Sequence, residues 1–157
     1  MDAGHNLTRF RCGRDVLDDW LGRHALHAQA SRTGRTFVWH DEGVVVAYYT
    51  LAAHWISRDA LPARLGRGGP DQIPAVLLAR LALDSSLHGK GLGAAVLSEA
   101  GYRAAVASLT VAARVLVVDA IDEEAAAFYE CHGFRRIPDT LRLGRKMSDL
   151  VDALGDL

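Results

Sequence analysis

The chain holds only two cysteines, four prolines and no long apolar run, and each shortage removes a class of protein. Cys12 and Cys131 are too few for a disulfide framework and lack the spacing of metal ligands. They read as free thiols in a reducing compartment. The aliphatic stretches Val44–Leu51 and Val115–Val118 fall far short of the ~20 residues a membrane-spanning helix needs. Met1–Asn6 is polar, and Arg9, Arg11 and Arg14 interrupt any apolar region after it, so the start does not read as a signal peptide. A cytoplasmic location is the resulting expectation. Repeats, low-complexity tracts and dividing linkers are lacking too, which predicts one domain over residues 1–157.

Charge of one sign is also lacking: the formal net charge is −1. Taken alone this argues against nucleic-acid binding, but the distribution is uneven. Arg135, Arg136, Arg142, Arg145 and Lys146 crowd one C-terminal stretch with Asp139 as its one acid, whereas Asp119–Glu130 is acidic. A local basic face can attract phosphate on a near-neutral protein. Hydrophobic residues make up 50% of the chain and charged ones 24%, the proportions of a globular protein with a real core.

The pattern along the chain predicts alternating elements. Leu7–Arg11 reads as a short strand, and Cys12–Asp15 as a turn into a helix. Val16, Leu17, Trp20, Leu21 and His24 recur at helical spacing, which predicts an amphipathic helix over Arg14–Ala30, with Gly22 as a possible break. Thr36–His40 and Val44–Ala53 are strand-like around the hairpin signal Asp41-Glu42-Gly43. A short helix is expected at Arg58–Leu65, and a loop over Gly66–Pro74. Ala75–Leu83 then reads as a strand, Gly89–Leu109 as a long helix and Arg114–Asp119 as a fully covered strand. Glu123–Cys131 reads as a helix stopped by Gly133, Leu141–Met147 as a last strand, and Ser148–Leu154 as one or two helical turns. The expected class is α/β, with a mixed central sheet.

The sharpest local feature runs from Leu81 to Ala94. A strand ends, a short loop follows, and glycines open a helix. Unpaired N–H groups and the dipole at a helix start favour an anion, and glycines let the main chain approach it. The same pattern also serves as a plain turn. It is not a nucleotide P-loop, since no Ser or Thr follows Gly89-Lys90, and Gly89-Lys90-Gly91-Leu92-Gly93 does not give the dinucleotide spacing.

His88-Gly89-Lys90-Gly91-Leu92-Gly93 resembles the acetyl-coenzyme A pyrophosphate loop of the GNAT acetyltransferase superfamily, Gln/Arg-x-x-Gly-x-Gly/Ala. His88, Gly91 and Gly93 fall on its three fixed positions, with His88 where Gln or Arg is usual. Ala125-Ala126-Ala127-Phe128-Tyr129 through Gly133-Phe134 is similar to the family's A-x-x-F-Y-x-x-x-G-F segment. The resemblance implies the GNAT fold, with splayed parallel central strands flanked by helices, and acetyl-CoA as acetyl donor with no metal. It implies that Leu81, Ala82 and Leu83 hold the pantetheine arm, and that the main chain of His88, Gly89, Lys90, Gly91, Leu92, Gly93 and Ala94 holds the pyrophosphate. Tyr129 is implied as the general acid that protonates the leaving thiolate; its alternative is a buried aromatic packed beside Phe128. A general base is not identified among Asp84, His88, Asp119 and His132.

Four N-terminal matches narrow the resemblance to the bacterial GNAT toxins: Phe10-Arg11-Cys12-Gly13, Leu17–Leu21, Val46–Leu51 and Leu78–Asp84. Members of that group acetylate the α-amino group of the amino acid on a charged tRNA and stop translation. A ribbon-helix-helix antitoxin, a homodimer, and contact with DNA only through the antitoxin are implied alongside. Cations for the RNA are then expected at Arg80, which interrupts an apolar strand, at Arg9, Arg11, Arg32 and Arg35, and at Arg142 and Arg145. Each has a plain alternative as an internal ion pair or a solvated charge. Two other functions stay open: acetylation of a small-molecule amine or a protein lysine or N-terminus, and a non-catalytic acyl-CoA-binding module.

Overall fold

The computed structural model describes residues 1–155. Its helices are α1 (Asp15–Arg23), α2 (Ala25–Ala30), α3 (Ala63–Gly66), α4 (Leu92–Ser108), α5 (Glu123–Cys131) and α6 (Met147–Leu154). Its strands are β1 (Arg35–Asp41), β2 (Val44–Ser57), β3 (Gln72–Leu83), β4 (Val115–Asp119), β5 (Arg135–Arg136) and β6 (Arg142–Lys146). The six strands form one mixed sheet in the order β1-β2-β3-β4-β6-β5. β3 and β4 pair in parallel, whereas β1 on β2, β4 on β6 and β5 on β6 are antiparallel.

Several boundaries differ from the sequence pattern for local reasons. Leu7–Arg11 is not a strand. The segment makes a single bridge at Asn6, whose N–H donates to the Gly43 carbonyl at 2.7 Å, and Asn6 Oδ1 then turns the chain by accepting from Thr8 N–H at 3.0 Å. The first helix breaks at His24 (φ −122°) rather than at Gly22. The helix expected from Gly89 starts at Leu92, because Gly89 and Gly91 both take φ +74°, which no right-handed helix admits. Pro62 divides the helix expected at Arg58–Leu65 into a 3-10 turn, Arg58–Ala60, and α3. β3 reaches back through Pro74, whose carbonyl accepts from Arg114 N–H at 2.8 Å. The Glu42-Gly43 hairpin has positive φ at both central residues (48° and 85°), the twist a two-residue turn needs.

The chain divides into two compact units. The first comprises Met1–Ala52 and Ala79–Ala100. Its core packs Phe10, Cys12, Leu21, Ala25, Val45, Tyr48 and Ala82, with Trp20, Leu17 and Val38 against them. In the same unit the β1–β2 register pairs Thr36 with Thr50, and their two buried hydroxyls meet at 2.9 Å. The second unit comprises Ala53–Leu78 and Gly101–Leu157. Ile56, Leu61, Leu65, Ile73, Ala75, Val115 and Val117 form its core.

One feature of β3 prepares a ligand site. Its parallel ladder with β4 runs from Ala75↔Val115 to Leu78↔Val118. β3 continues through Leu83, so Ala79–Leu83 extend past the last of those pairs. Main-chain groups there are suited to an extended ligand that adds like a strand.

Candidate functional site

Where β3 ends, Asp84 starts a 3-10 turn, Ser85–Leu87, that carries the chain into the glycine loop. Its N–H donates to the Val46 carbonyl at 2.8 Å. Its carboxylate accepts from Arg11 N–H (2.9 Å), Ser86 N–H (3.1 Å) and Ser86 Oγ (2.6 Å). Burial alone would raise the Asp84 carboxyl, but these donors and the nearby His88 together hold it below the ordinary value. The Arg11 carbonyl in turn accepts from Ser85 N–H (2.8 Å) and Ser85 Oγ (2.5 Å). Arg11 therefore secures the start of the loop through its main chain. Its guanidinium donates to the Phe10 carbonyl at 2.7 Å.

His88 occupies the irregular position of the loop motif. Its Nε2–H donates to the Leu83 carbonyl at 2.9 Å, folding the side chain back onto the end of β3. The loop main chain faces open space: a Cβ built at Gly89 or Gly91 would meet nothing within 4 Å. An anion can therefore approach these peptide groups directly, just ahead of the N-terminus of a 17-residue helix. That is the form an acyl-CoA pyrophosphate requires, so the residues fit the group. Among the described residues no cluster of three or more His, Cys, Asp or Glu is placed to hold a metal.

Arg80 lies in the same unit, with its guanidinium carbon 4.1 Å from the centroid of the Trp20 ring. Trp20 stacks on Tyr48 at 6.2 Å, and the Tyr48 hydroxyl donates to the Leu17 carbonyl at 2.7 Å. Burial lowers the Arg80 pKa, partly offset by Tyr48. Among the described residues no carboxylate pairs with Arg80, so the internal ion pair is replaced by a cation–π contact worth about 0.5–2 kcal/mol. Arg9, Arg32 and Arg35 are exposed in this unit and show no such built environment.

Tyr129 belongs to the second unit. Asp122 caps α5 by accepting from Ala125 N–H at 2.9 Å, and Ala126 and Tyr129 face inward. Tyr129 is 6% exposed and meets Phe128 and Phe134 edge to face, at centroid distances of 5.3 and 5.6 Å. Burial raises its pKa, so the group keeps its proton at neutral pH. A protonated hydroxyl on a buried ring can donate to a leaving group.

The C-terminal cations divide sharply. Arg142 donates to both Asp119 oxygens, at 2.7 and 2.8 Å, and its Nη1 lies 3.2 Å from His54 Nε2. Arg142 holds the Asp119 carboxyl below its ordinary range. Burial and then the Arg142 charge lower His54, leaving a neutral ring that accepts from the guanidinium. Arg145 donates to the His132 carbonyl at 3.1 Å and fills the space where a Gly133 Cβ would sit. Arg136 pairs with Glu123 (2.7 Å) and Glu130 (2.9 Å). Arg136, Arg142 and Arg145 are thus occupied inside the protein, which leaves Arg135 and Lys146 of the basic stretch without an ion-pair partner among the described residues. His54, which joins Arg142 from β2, could not be found from sequence because a lone histidine in a strand carries no motif.

Comparison with known proteins adds the lineage. Residues 32–136 match the model of an acetyltransferase (GNAT) domain. A tRNA-acetylating toxin of Mycobacterium tuberculosis (strain ATCC 25618 / H37Rv) is 36% identical over 152 residues, spanning 96% of this chain and 92% of that protein. The solved structure of AtaT complexed with acetyl-methionyl-tRNAfMet superposes with a TM-score of 0.88 at 32% identity, covering 98% of this chain and 94% of the other. A Tyr-to-Phe mutant of AtaT bound to acetyl-CoA and the C-terminus of the antitoxin AtaR gives a TM-score of 0.83 at 30% identity, covering 98% and 92%.

Proposed function

The chain belongs to the GNAT acetyltransferase family, and from that premise we propose that it moves the acetyl group of acetyl-CoA to the α-amino group of an amino acid on charged tRNA, as the toxin of a toxin–antitoxin pair. The observation that carries this reading is the extent of the likeness to the tRNA-acetylating toxin. It spans 96% of this chain, glycine loop and Tyr129 segment included.

Bound acetyl-CoA supplies an activated thioester carbonyl. This chain's own residues do the rest. Leu81, Ala82 and Leu83 align the pantetheine arm along the end of β3, past the β3–β4 ladder. The main chain of Gly89 through Ala94 holds the pyrophosphate over the open faces of Gly89 and Gly91, while the His88 N–H is already given to the Ser85 carbonyl at 3.1 Å. Tyr129 donates its proton to the departing sulfur. Asp119 is held as a carboxylate by Arg142 and is not free to collect a proton near neutral pH. A dedicated base is not required, since an α-amine has a pKa of about 7.7–8.0 and is partly neutral already.

Arg80 offers a partly desolvated cation for the RNA, and Arg9, Arg11, Arg32 and Arg35 of the same unit are exposed to it. The reading treats residues 1–157 as one GNAT domain, working as a homodimer in the cytoplasm. A ribbon-helix-helix antitoxin silences it and supplies the only contact with DNA.

The test is incubation with labelled acetyl-CoA and either charged tRNA, uncharged tRNA or a protein extract. Label on the α-amino group of charged tRNA alone is the expected result. Label on protein lysines or small amines, with charged tRNA untouched, overturns the acceptor while keeping the enzyme class.

A further inference from the structure

Four cations gather in the second unit, none of them in an ion pair among the described residues. Arg64, Arg67, Arg114 and Lys146, with Ala63, line a concavity of about 370 Å³. An adjoining trough of about 700 Å³ shares Arg114 and Lys146 and is otherwise mostly apolar, with Asp152 also in its lining. Arg64, Arg67 and Arg114 are exposed, and Lys146 is half-buried.

The hollow is built, not incidental. Arg114 N–H donates to the Pro74 carbonyl (2.8 Å), and its carbonyl accepts from Met147 N–H (2.9 Å). Its guanidinium donates to the Arg67 carbonyl, fixing one cation against the backbone of another. The Val115↔Lys146 pair of the β4–β6 ladder brings Lys146 alongside. Arg64 and Arg67 come from α3 and the residue after it. α3 lies on β6 because Gly144 has no side chain: a Cβ there would stand 3.0 Å from Leu65 Cδ1. The segment is held from its other end by Arg58, which pairs with Asp71 (3.0 Å) and donates to the Gly69 carbonyl (2.9 Å).

Arg58, Arg136 and Arg142 of the same unit are each paired with a carboxylate. Among the described residues no acid lines the hollow of these four cations, so their fields add. They sit at the starts of β3 and β4, next to Pro74 and Val115. Four residue steps along β4 alone put about 13 Å between its ends.

We propose that this hollow is an anchor for RNA phosphates, gripping the substrate's backbone away from the amine that is acetylated. The inference rests on the tRNA reading above. Phosphate neutralisation releases condensed counterions, so each contact made here adds to the salt dependence of tRNA binding.

The experiment compares wild type, Arg64→Gln/Arg67→Gln and the charge-preserving Arg64→Lys/Arg67→Lys, all checked for equal Tm. Binding of tRNA is followed against salt, and steady-state kinetics are run on charged tRNA and on a short aminoacylated 3′ oligonucleotide. The Gln variant is expected to raise KM for charged tRNA about tenfold and to flatten the log–log salt slope by about one to two. KM for the short oligonucleotide and for acetyl-CoA should stay put, and the Lys variant should restore binding. An unchanged slope and KM on tRNA overturns the anchor, as does an equal loss on tRNA and the oligonucleotide. Loss of binding to a poly-glutamate probe, with tRNA binding intact, overturns it in favour of an acidic protein partner. Failure of the wild type to acetylate any charged tRNA defeats the acceptor reading instead, a result visible before the variants are compared.

Discussion

His88 Nε2 lies 2.9 Å from the carbonyl oxygen of Leu83, closing the glycine loop onto the strand it leaves. The contact is made by the residue that departs from the family motif. It gives that residue a role that needs no direct touch to the cofactor.

Removing this hydrogen bond should loosen the loop without unfolding the protein. A hydrogen bond of this kind contributes about 1 kcal/mol, or roughly fivefold in an equilibrium. His88→Ala is expected to weaken acetyl-CoA binding by about that factor in isothermal titration calorimetry. Unaltered affinity would mean that the loop keeps its shape without the clasp.

Tyr129→Phe keeps the ring that packs between Phe128 and Phe134 and removes only the hydroxyl. Turnover should fall by roughly 10²-fold or more, the scale of a lost general acid, with acetyl-CoA affinity retained. Burial raises the Tyr129 pKa, so its proton stays on as pH rises through neutrality. The wild-type rate should therefore show no alkaline fall from this group below about pH 10. A single-turnover pH series checks both points.

Asp119 and Arg142 predict a stability change with a definite sign. The Asp119 pKa is depressed by Arg142, so the pair stabilises above the ordinary carboxylate range and the benefit is lost as pH falls through the depressed value. The Asp119 side chain is 52% exposed, which limits the gain to about 1 kcal/mol. Asp119→Asn should lose about that much in chemical denaturation at neutral pH, with the gap to wild type closing in acid. Arg142→Ala should raise the His54 pKa, because a cation beside the ring is withdrawn. NMR titration of the imidazole reads that shift.

The two thiols should react unequally. Cys12 is buried, and burial together with the hydrogen bond to Asp18 pushes its pKa up to about 11. Cys131 is exposed. Alkylation at mildly alkaline pH is expected to label Cys131 first, leaving Cys12 unmodified until the protein unfolds. Mass spectrometry of the labelled peptides distinguishes the two sites.

Local chemistry was readable in advance, and tertiary placement was not. Glu123–Cys131 was legible because Gly133 stops it, and the structure forms that helix at those bounds, with Asp122 as its cap. The mixed sheet followed from strand and helix patterning. β5 escaped because its two residues carry no period. Arg142 was expected to face RNA, but it lies against His54, 88 positions away in sequence, and Asp119, and no local pattern records such a partner. The same holds for Arg64 and Arg114, which line one concavity where α3 settles on Gly144 of β6. The chemistry of a side chain is written locally, whereas whether it is free to act depends on the neighbour that reaches it first.

The paired hydroxyls of Thr36 and Thr50 constrain how this chain can drift. Losing either one strands its buried partner at a cost of about 1–3 kcal/mol, while replacing both with Val is nearly neutral. Each single step is a valley and the double step is level ground. Among descendants of this sequence, positions 36 and 50 should therefore keep their hydroxyls together or lose them together.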